Sequence, residues 1–403
     1  MAKSNRTILS TGALLGALLG AGAWSAHAQI FKLPQPDTTA GNFFGVSVSI
    51  DGTRALVGAS AENVCGVNSG AAYLFELDPE TREWVERAKL TPSDCKEGHF
   101  FGRAVALSGD HAVVTAYRPF FSTALSNAAY VFERDPDTGA WRETAKLTTR
   151  NTEEEGAFAA TVSLDGDRAL ITAAGDPSGG RYGGAAYIFE REPDGRWRQK
   201  ARLTGSGGTR YGIFGTDGAL DGDRAVVSAS TYFREKPGSV YIFERDSTSG
   251  TWKEAARFGD IKDFFISVDI HGDRVIAGES KGGRKASGEA SIFRRNAEGR
   301  WEREAKLVPD QPYDDGGFGT DVAIHGDRAL VVGYDEQLSF EFNIDRVVYV
   351  FRYEPDTEAW EQSHIIDVGH VAFGSSIDLG DPYALIGQAS EQEPGAAYVV
   401  RIH

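Results

Sequence analysis

The sequence predicts an all-β fold, a seven-bladed β-propeller made of four-stranded antiparallel blades. Three observations lead to this prediction. One phrase recurs seven times along the chain, with a spacing of 50 to 57 residues. Each copy contains four short runs rich in Ala, Val, Ile, Tyr and Phe, the residues that pack well on pleated surfaces. Turn residues separate these runs, and four antiparallel strands at this period are typical of one propeller blade.

Each copy starts with a Phe that is usually followed by Gly. The predicted blade starts are Phe44, Phe101, Phe158, Phe214, Phe264, Phe318 and Phe373. An alternating segment such as "VSVSI" follows, which predicts the first and innermost strand. A turn such as "DGDR" comes next, and its Gly supplies the positive φ that a two-residue hairpin needs.

The second half of each copy predicts the other three strands. A small-apolar run such as "ALVGAS" predicts the second strand, and a run such as "GAAYLF" predicts the third after a variable loop. A polar turn then leads to a Trp and to "KL" or its equivalent, which predicts the fourth strand. A β-solenoid would have shorter rungs, and independent modules of this size would bury too little surface to fold alone. The closed ring of blades is therefore favoured.

The last copy is short, and the segment before the first copy supplies what it lacks. The sequence ends five residues after Tyr398, which leaves no room for a fourth strand in blade seven. Leu33 lies 11 residues before Phe44, the interval that separates the "KL" leucine of most blades from the next Phe. We therefore expect residues 29–33 to pair as the outer strand of blade seven. This pairing closes the ring and removes its open edges.

The first 28 residues have the pattern of a secretory signal. Lys3 and Arg6 form a cationic start, an apolar run follows, and an A-x-A cleavage site ends at Ala28. An uncleaved membrane anchor is the alternative, although the run is short and broken by Gly for a spanning helix. Cleavage after Ala28 changes the net charge from −16 to −18. We expect residues 29–403 to form one secreted or periplasmic propeller with no integral membrane segment, and an acidic body of this kind repels nucleic acid.

The "FG" starts, the Gly58-Ala59-Ser60 segment and the phrase "AAYVFER" with the following Trp141 resemble the FG-GAP repeat. This repeat is the blade unit of the integrin α-chain propeller, and the likeness to the subtype of secreted bacterial proteins covers essentially all of 29–403. The resemblance implies adhesion, ligand binding or domain scaffolding. Integrin-type blades often carry a calcium loop after the first strand. Here that loop is a tight hairpin with too few carboxylates to surround calcium, so we expect no metal site and no cofactor.

The two cysteines, Cys65 and Cys95, are predicted to form a disulfide. Strands that alternate in direction bring the loop after the second strand and the link between blades to the same face of the disc. Cys65 lies in the first such loop and Cys95 in the first such link. Export favours oxidation, and the sequence holds no other cysteine that could compete.

This face, called the loop face below, also carries the loops that differ most between blades. Loops are more frequently functional than repeated framework positions. Four of them combine aromatic and charged residues, and aromatics beside Arg are common in binding surfaces. The alternative is that these aromatics fold back under their own loops. The binding hypothesis places a protein or glycan partner on Phe120, Phe121, Arg181, Tyr182, Tyr232, Phe233, Phe340 and Phe342.

A second departure from the repeat lies on the innermost strand. Asp217 and Asp321 replace the small residues of other blades at one position, and Asp269 and Asp378 do so two residues further on. All four acids are therefore expected beside the central channel. Like charges so close together would raise their pKa values or attract a cation. The alternative is that channel water, neighbouring backbone or Arg groups satisfy them.

Residues that recur in every blade are interpreted as structural. The blade Trp residues and the Tyr-x-Phe pairs are expected to pack in the core and at the blade edges. An Arg also recurs just after the first hairpin, and we expect it to pair with acids on the same or the next blade. These arginines are Arg54, Arg168, Arg224, Arg274 and Arg328.

For function, the sequence favours an exported binding or adhesion propeller over an enzyme. It contains no Gly-x-Ser-x-Gly elbow, no nucleophile–His pairing and no phosphate loop, so we predict no catalytic residue. One alternative is a carbohydrate-active enzyme that uses the channel acids for acid–base chemistry. A structural envelope scaffold without a specific ligand is the other.

Overall fold

The computed structural model describes residues 29–35, 39–117, 127–149, 158–176, 183–206, 212–231, 237–261, 266–281, 287–314, 316–334 and 346–402. Within these residues the chain forms seven four-stranded antiparallel sheets and no α-helix. The predicted all-β, seven-bladed propeller is confirmed. No helix capable of crossing a membrane occurs in the described ranges. The predicted signal, residues 1–28, lies outside them.

The strands occupy the same four positions in every blade. The innermost strands are β2 Phe44–Asp51, β6 Phe101–Ser108, β10 Phe158–Asp165, β14 Gly212–Asp221, β18 Val268–His271, β22 Val322–His325 and β26 Phe373–Leu379. The second strands are β3 Arg54–Ala59, β7 His111–Ala116, β11 Arg168–Ala173, β15 Arg224–Thr231, β19 Arg274–Glu279, β23 Arg328–Tyr334 and β27 Tyr383–Gln388. The third strands are β4 Ala71–Leu77, β8 Ala128–Arg134, β12 Ala185–Arg191, β16 Gly238–Arg245, β20 Glu289–Arg295, β24 Arg346–Glu354 and β28 Ala396–Arg401. The outermost strands are β5 Trp84–Leu90, β9 Trp141–Leu147, β13 Trp197–Leu203, β17 Trp252–Ile261, β21 Trp301–Leu307, β25 Ala359–Ile366 and β1 Ile30–Lys32.

The predicted Phe starts open the inner strands of blades one, two, three and seven. Blade four starts two residues earlier than predicted, at Gly212. In blade six the inner strand begins at Val322, and Phe318 lies before it, where it forms an isolated parallel bridge with Gly288 of blade five. Phe264, the predicted start of blade five, lies outside the described residues.

The Gly of the "FG" start lets two blades approach closely. Gly102 has a φ of +89°, and a Cβ at this position would lie 2.1 Å from the carbonyl oxygen of Ala71 in the preceding blade. Blade three carries Ala159 at the equivalent position, again with a positive φ of 67°. The motif therefore marks a backbone-to-backbone contact between blades.

The ring closes as predicted. Strand β1 pairs antiparallel with β28, with Ile30 opposite Val400 and Lys32 opposite Tyr398. The Leu33 N–H extends the pairing to the Ala397 carbonyl at 2.9 Å, and the Leu33 side chain is 2 % exposed. The N-terminal segment therefore supplies the outermost strand of blade seven.

The hydrophobic core lies between neighbouring blades. Buried residues of blades seven and one form a single cluster, and the other seams repeat the arrangement. Trp84 packs edge-on against Tyr383 of blade seven, with ring centroids 5.7 Å apart. Trp301 of blade five donates its indole N–H to Glu244 of blade four at 2.8 Å. The blade tryptophans therefore join each blade to the one before it, in line with the predicted packing role.

Candidate functional site

A cavity of about 770 Å³ fills the centre of the ring, and the inner strands of all seven blades line it. Asp217, Asp269, Asp321 and Asp378 all face this cavity, as predicted from their positions on the inner strands. Each of the four side chains is half-buried. The fold therefore gathers the acids from blades four to seven in one channel.

Each channel aspartate binds backbone N–H groups with both of its oxygens. One oxygen accepts the N–H of the residue that follows it, at 2.8 to 3.0 Å. The other oxygen accepts an N–H from the inner strand of the next blade. These inter-blade bonds run to Asp217 from Val268 at 3.0 Å, to Asp269 from Ile324 at 2.7 Å, to Asp321 from Ile377 at 3.0 Å and to Asp378 from Ile50 at 2.7 Å.

Serines perform the same task in the blades that lack these aspartates. The Ser49 hydroxyl accepts the Leu107 N–H at 3.1 Å, and the Ser163 hydroxyl accepts the Leu220 N–H at 3.0 Å. Two residues further along the strand from Ser49, the Asp51 carboxylate accepts the Gly109 N–H at 2.6 Å. The aspartates are thus stronger acceptors at a position that joins each blade to the next. These contacts agree with the alternative interpretation, in which neighbouring backbone groups satisfy the channel aspartates.

Burial raises the pKa of all four channel carboxyls. For Asp269 the pKa rises to about 8, because burial comes first and the charges of Asp378 and Asp217 add to it. For Asp321 the pKa rises to about 7, through burial and the charge of Asp217, and Ser267 opposes the rise by donating its hydroxyl at 2.8 Å. The pKa values of Asp217 and Asp378 also rise through burial. Burial and mutual repulsion therefore disfavour the charged form of these carboxyls in the folded protein.

The opposite side of the disc, called the hairpin face below, is held by the recurring arginines. The Arg54 guanidinium donates to the Gly109 carbonyl of the next blade at 2.8 Å and pairs with Glu76 at 3.1 Å and Asp110 at 3.0 Å. The predicted pairing with acids of the same or the next blade is confirmed at all five positions. The acids are Glu76 and Asp110 for Arg54, Glu190 and Asp223 for Arg168, Glu244 and Asp273 for Arg224, Glu304 for Arg274, and Asp327 and Asp381 for Arg328.

On the loop face, the predicted disulfide is confirmed. Cys65 and Cys95 are bonded, with an S–S distance of 2.07 Å and a Cα–Cα distance of 6.0 Å. The bond joins the β3–β4 loop to the β5–β6 link, so these two connections share a face as predicted. The eight residues proposed to bind a partner (Phe120, Phe121, Arg181, Tyr182, Tyr232, Phe233, Phe340 and Phe342) lie outside the described residues.

Within the described residues, the large hydrophobic side chains that are exposed all lie on the loop face. Val64 and Val67 flank Cys65 in the β3–β4 loop and are 39 % and 58 % exposed. Val308 and Val371 lie in inter-blade links and are 46 % and 44 % exposed. The Ser69 hydroxyl holds the first of these segments by accepting the Val64 and Cys65 N–H groups, both at 2.9 Å. Sequence reasoning missed these valines because it searched this face for aromatic side chains.

A third arrangement, which the sequence prediction did not recognise, lies near the loop face between the third and fourth strands. In blade two, the Asp94 carboxylate accepts the Tyr130 hydroxyl at 2.7 Å and pairs with Lys146 at 2.6 Å. The Lys146 ammonium also lies 5.1 Å from the Tyr130 ring centroid. The same acid–tyrosine–cation set forms in blade one from Glu62, Tyr73 and Lys89 and in blade three from Asp176, Tyr187 and Arg202.

The cation of this set is the residue before the leucine of "KL", which explains why the phrase recurs. The acid comes from different elements in different blades, so no fixed spacing reveals it. In the described ranges, no group of three or more His, Cys, Asp or Glu side chains is arranged to hold a metal ion.

Comparison with known families agrees with this geometry. The FG-GAP repeat profile matches residues 27–75, 84–132, 141–189 and 197–243, which correspond to the first four repeats. The chain is an FG-GAP repeat protein. No curated protein matches it in sequence.

Solved structures resemble this FG-GAP protein in fold alone. The WD40 repeats of RRP9 align with a TM-score of 0.54 at 11 % identity, over 94 % of this chain and 100 % of that one. A proposed 6-phosphogluconolactonase from Bacteroides uniformis aligns with a TM-score of 0.54 at 14 % identity, over 84 % of this chain and 89 % of that one. A similar protein from Bacteroides fragilis gives a TM-score of 0.50 at 14 % identity, over 86 % and 97 % of the two chains.

Proposed function

We propose that this FG-GAP protein is an exported binding propeller that recognises a protein or glycan partner through its loop face. The observation that carries the proposal is the asymmetry of the disc. Val64, Val67, Val308 and Val371 expose apolar surface on the loop face, whereas the hairpin face is occupied by paired charges. Exposed apolar groups on one face mark contact surfaces more frequently than scattered single residues do.

Export rests on the sequence of residues 1–28 and agrees with the Cys65–Cys95 disulfide, since such bonds persist in oxidising compartments. The aromatic and Arg residues of the neighbouring loops, among them Phe120, Tyr182 and Phe340, belong to the same proposal. They would extend the apolar surface beyond the valines.

The channel gives less support to a carbohydrate-active enzyme. A raised pKa in a cavity is a feature of many catalytic acids. Here, however, both oxygens of each channel carboxylate already accept backbone N–H groups, which favours a role in joining blades. A glycan-cleavage screen that compares the protein with its Asp217→Ala and Asp321→Ala variants tests the enzymatic alternative directly.

The binding proposal is tested by capture with matched variants. Mature protein is immobilised and exposed to envelope extract and to a glycan array, beside a Val64→Ser/Val67→Ser variant and a Phe120→Ser/Phe121→Ser variant. Arg196→Gln, on the hairpin face with its side chain 76 % exposed, serves as the control. We expect one partner that the control retains and that the loop-face variants lose at least tenfold. Equal capture by all four proteins contradicts the proposal.

A further inference from the structure

Blade four departs from its neighbours at the acid–tyrosine–cation set. Arg257 occupies the cation position, and its guanidinium lies 5.5 Å from the Tyr241 ring centroid, as the lysines of blades one and two lie over their tyrosines. Counted along the second strand, Ser230 corresponds to Ser60 of blade one, and the position of Glu62 falls at residue 232, outside the described residues. The Ser230 hydroxyl is 1 % exposed and contacts Thr216 at 3.1 Å.

Among the described residues, the Arg257 guanidinium has a hydroxyl partner, whereas the corresponding cations of blades one to three pair with a carboxylate. Its Nη2 donates to the Ser239 oxygen at 3.2 Å, and its Nε does so at 3.4 Å. No carboxylate of the described residues forms an ion pair with it. By contrast, the corresponding Lys146 and Arg202 are paired with Asp94 and Asp176. Blade seven also lacks an acid at this set, but there the Gln388 amide bonds the Tyr398 hydroxyl at 3.1 Å.

Two small residues leave space beside Arg257. Pro237, Ser239, Arg257 and Gly259 line a pocket of about 340 Å³. Gly259 stands where blades one to three carry threonine and blade five carries valine. A Cβ at residue 259 would lie 3.6 Å from the Ser239 hydroxyl oxygen and 4.0 Å from the Arg257 Nη2, so a side chain here would enter the pocket.

Blade five shows what chemistry this position accepts. Glu289 occupies the site of Ser239, and its carboxylate forms an ion pair with Lys306, which occupies the site of Arg257. A carboxylate reaching the cation from this direction is thus already part of the fold. In blade four the carboxylate is missing from the described residues, while the cation and the space for it remain.

We propose that this pocket of blade four is a binding site for a carboxylate group of a ligand. Arg257 donates two parallel N–H groups to the carboxylate, the geometry in which guanidinium binds this group most strongly. Ser239 supplies a hydroxyl donor at the base of the pocket. The pocket lies at the loop-face end of β16 and β17, so the inference rests on the proposed function and specifies the chemistry of its partner: an acidic protein side chain or a uronic acid sugar.

Small probes test this site without knowledge of the partner. The mature protein is titrated with N-acetylglutamate N-methylamide and with glucuronate, and binding is followed by NMR of the arginine Nε–H signals. N-acetylglutamine N-methylamide and glucose are the uncharged counterparts. We expect saturable binding in the millimolar range for at least one acidic probe and none for the uncharged probes. The acidic probe that binds more tightly identifies the source of the carboxylate, and equal binding supports the shared chemistry.

Matched variants decide where the probe binds. Arg257→Gln removes the cation, and Ser239→Glu recreates the internal acid of blade five. Each is expected to weaken binding at least tenfold, whereas Arg196→Gln on the hairpin face leaves it unchanged. Gly259→Thr, the residue of blades one to three, should also block the pocket, and thermal unfolding confirms that each variant folds.

Three results would overturn the inference: no saturable binding, equal binding by all variants, or binding only to the Glu235→Gln/Asp260→Asn protein. The last result would mean that Glu235, outside the described residues, or Asp260 of β17 already supplies a carboxylate to Arg257. Loss of probe binding with intact partner capture would remove this inference alone. Failure of the capture experiment, with probe binding retained, would remove the proposed partner function.

Discussion

The two faces of the disc differ in how regularly their contacts repeat, although every blade contributes to both. On the hairpin face, Arg54, Arg168 and Arg224 repeat one set of contacts, each binding a carbonyl of the next blade and acids on both sides. On the loop face, one blade pair carries a disulfide, another exposes a valine, and blade four carries an unmatched guanidinium among the described residues. The repeated contacts of the hairpin face hold the ring together, whereas the loops of the loop face differ between blades and are available for binding.

The largest expected effect concerns the closure on which both faces depend. Deletion of residues 29–33 removes the pairing partner of β28 and the buried Leu33 side chain. We expect the free energy of unfolding to fall by about 5 kcal/mol or cooperative unfolding to be lost, since two or three apolar side chains leave the core. Circular dichroism during heating measures this. Lys32→Ala, at an exposed position of β1, is the control, and an unchanged melting temperature in the deletion would contradict the closure.

The disulfide is the next largest contribution and belongs to the loop face alone. Cys65 and Cys95 enclose a segment with a sequence separation of 30 residues. We expect the Cys65→Ser/Cys95→Ser protein to be less stable by about 3 kcal/mol, because the unfolded chain regains the entropy of the open loop. Denaturant unfolding of the variant, and of the reduced protein, should give the same loss. A change below about 0.5 kcal/mol would show that this loop keeps its shape without the bond.

A single hairpin-face arginine is expected to contribute less than the disulfide. Arg168 pairs with Glu190 at 2.9 Å and with Asp223 at 3.2 Å, and it donates to the Gly222 carbonyl. We expect Arg168→Ala to lower the free energy of unfolding by about 2 kcal/mol, because Glu190, Asp223 and the Gly222 carbonyl each lose a partly buried charged donor. Arg196→Gln, on the same face but exposed, should stay within about 0.5 kcal/mol. Equal effects of both substitutions would erase the distinction between repeated and isolated charges.

The channel acids predict a pH effect that the faces do not share. The pKa of Asp269 is about 8 and that of Asp321 about 7 in the folded protein, above the 3.8 of an unfolded chain. Between the pKa of the unfolded chain and those of the folded protein, the folded state binds more protons than the unfolded state. The free energy of unfolding therefore falls as the pH rises from about 4 through 8.

The Asp269→Ser/Asp321→Ser protein keeps an acceptor at both positions, as Ser49 and Ser47 do in blade one. We expect its stability to fall less than that of the unchanged protein between pH 5 and pH 8.5, by about 1.4 kcal/mol for each pH unit over which one of these carboxyls stays protonated only in the folded state. Unfolding in denaturant at each pH measures the difference. Parallel pH profiles for the two proteins would contradict the raised pKa values.

The smallest effect on stability is expected from the exposed valines. Val64→Ser/Val67→Ser should change the free energy of unfolding by less than about 0.5 kcal/mol, because both side chains are already in water. The measurement is the same denaturant titration used for Arg168→Ala. A loss above about 1 kcal/mol would mean that these valines support the fold, and the comparison between the two faces would then fail.

The fold could be predicted almost entirely from the sequence, because it repeats. Seven copies of one pattern average out the ambiguity of any single strand, and the position of Leu33 relative to Phe44 predicted the ring closure that β1 and β28 confirm. The Cys65–Cys95 bond followed from strand direction together with the absence of any other cysteine in the sequence and the predicted export. The exact strand starts were less predictable, since the inner strand of blade six begins at Val322, four residues after Phe318.

The sites were less predictable, since they depend on which side chains meet across blades. The channel location of Asp269 followed from its strand position, but its bond to the Ile324 N–H of the next blade requires the inter-blade register. The acid of the acid–tyrosine–cation set comes from the β3–β4 loop in blade one and from the inter-blade link in blade two. No constant spacing encodes such a partner, so only the structure distinguishes Arg257 from the paired cations Lys89 and Lys146.

The bonds from backbone N–H groups to side chains between neighbouring inner strands point the same way around the channel, each of these side chains accepting an N–H from the next blade. The seam where the chain starts and stops obeys this rule too, and there Arg401 N–H meets the Gln29 carbonyl at 3.1 Å. The assembled disc therefore does not depend on which two blades contain the ends of the chain. A circular permutant joined by a short linker between these two residues and opened between β21 and β22 should assemble the same wheel.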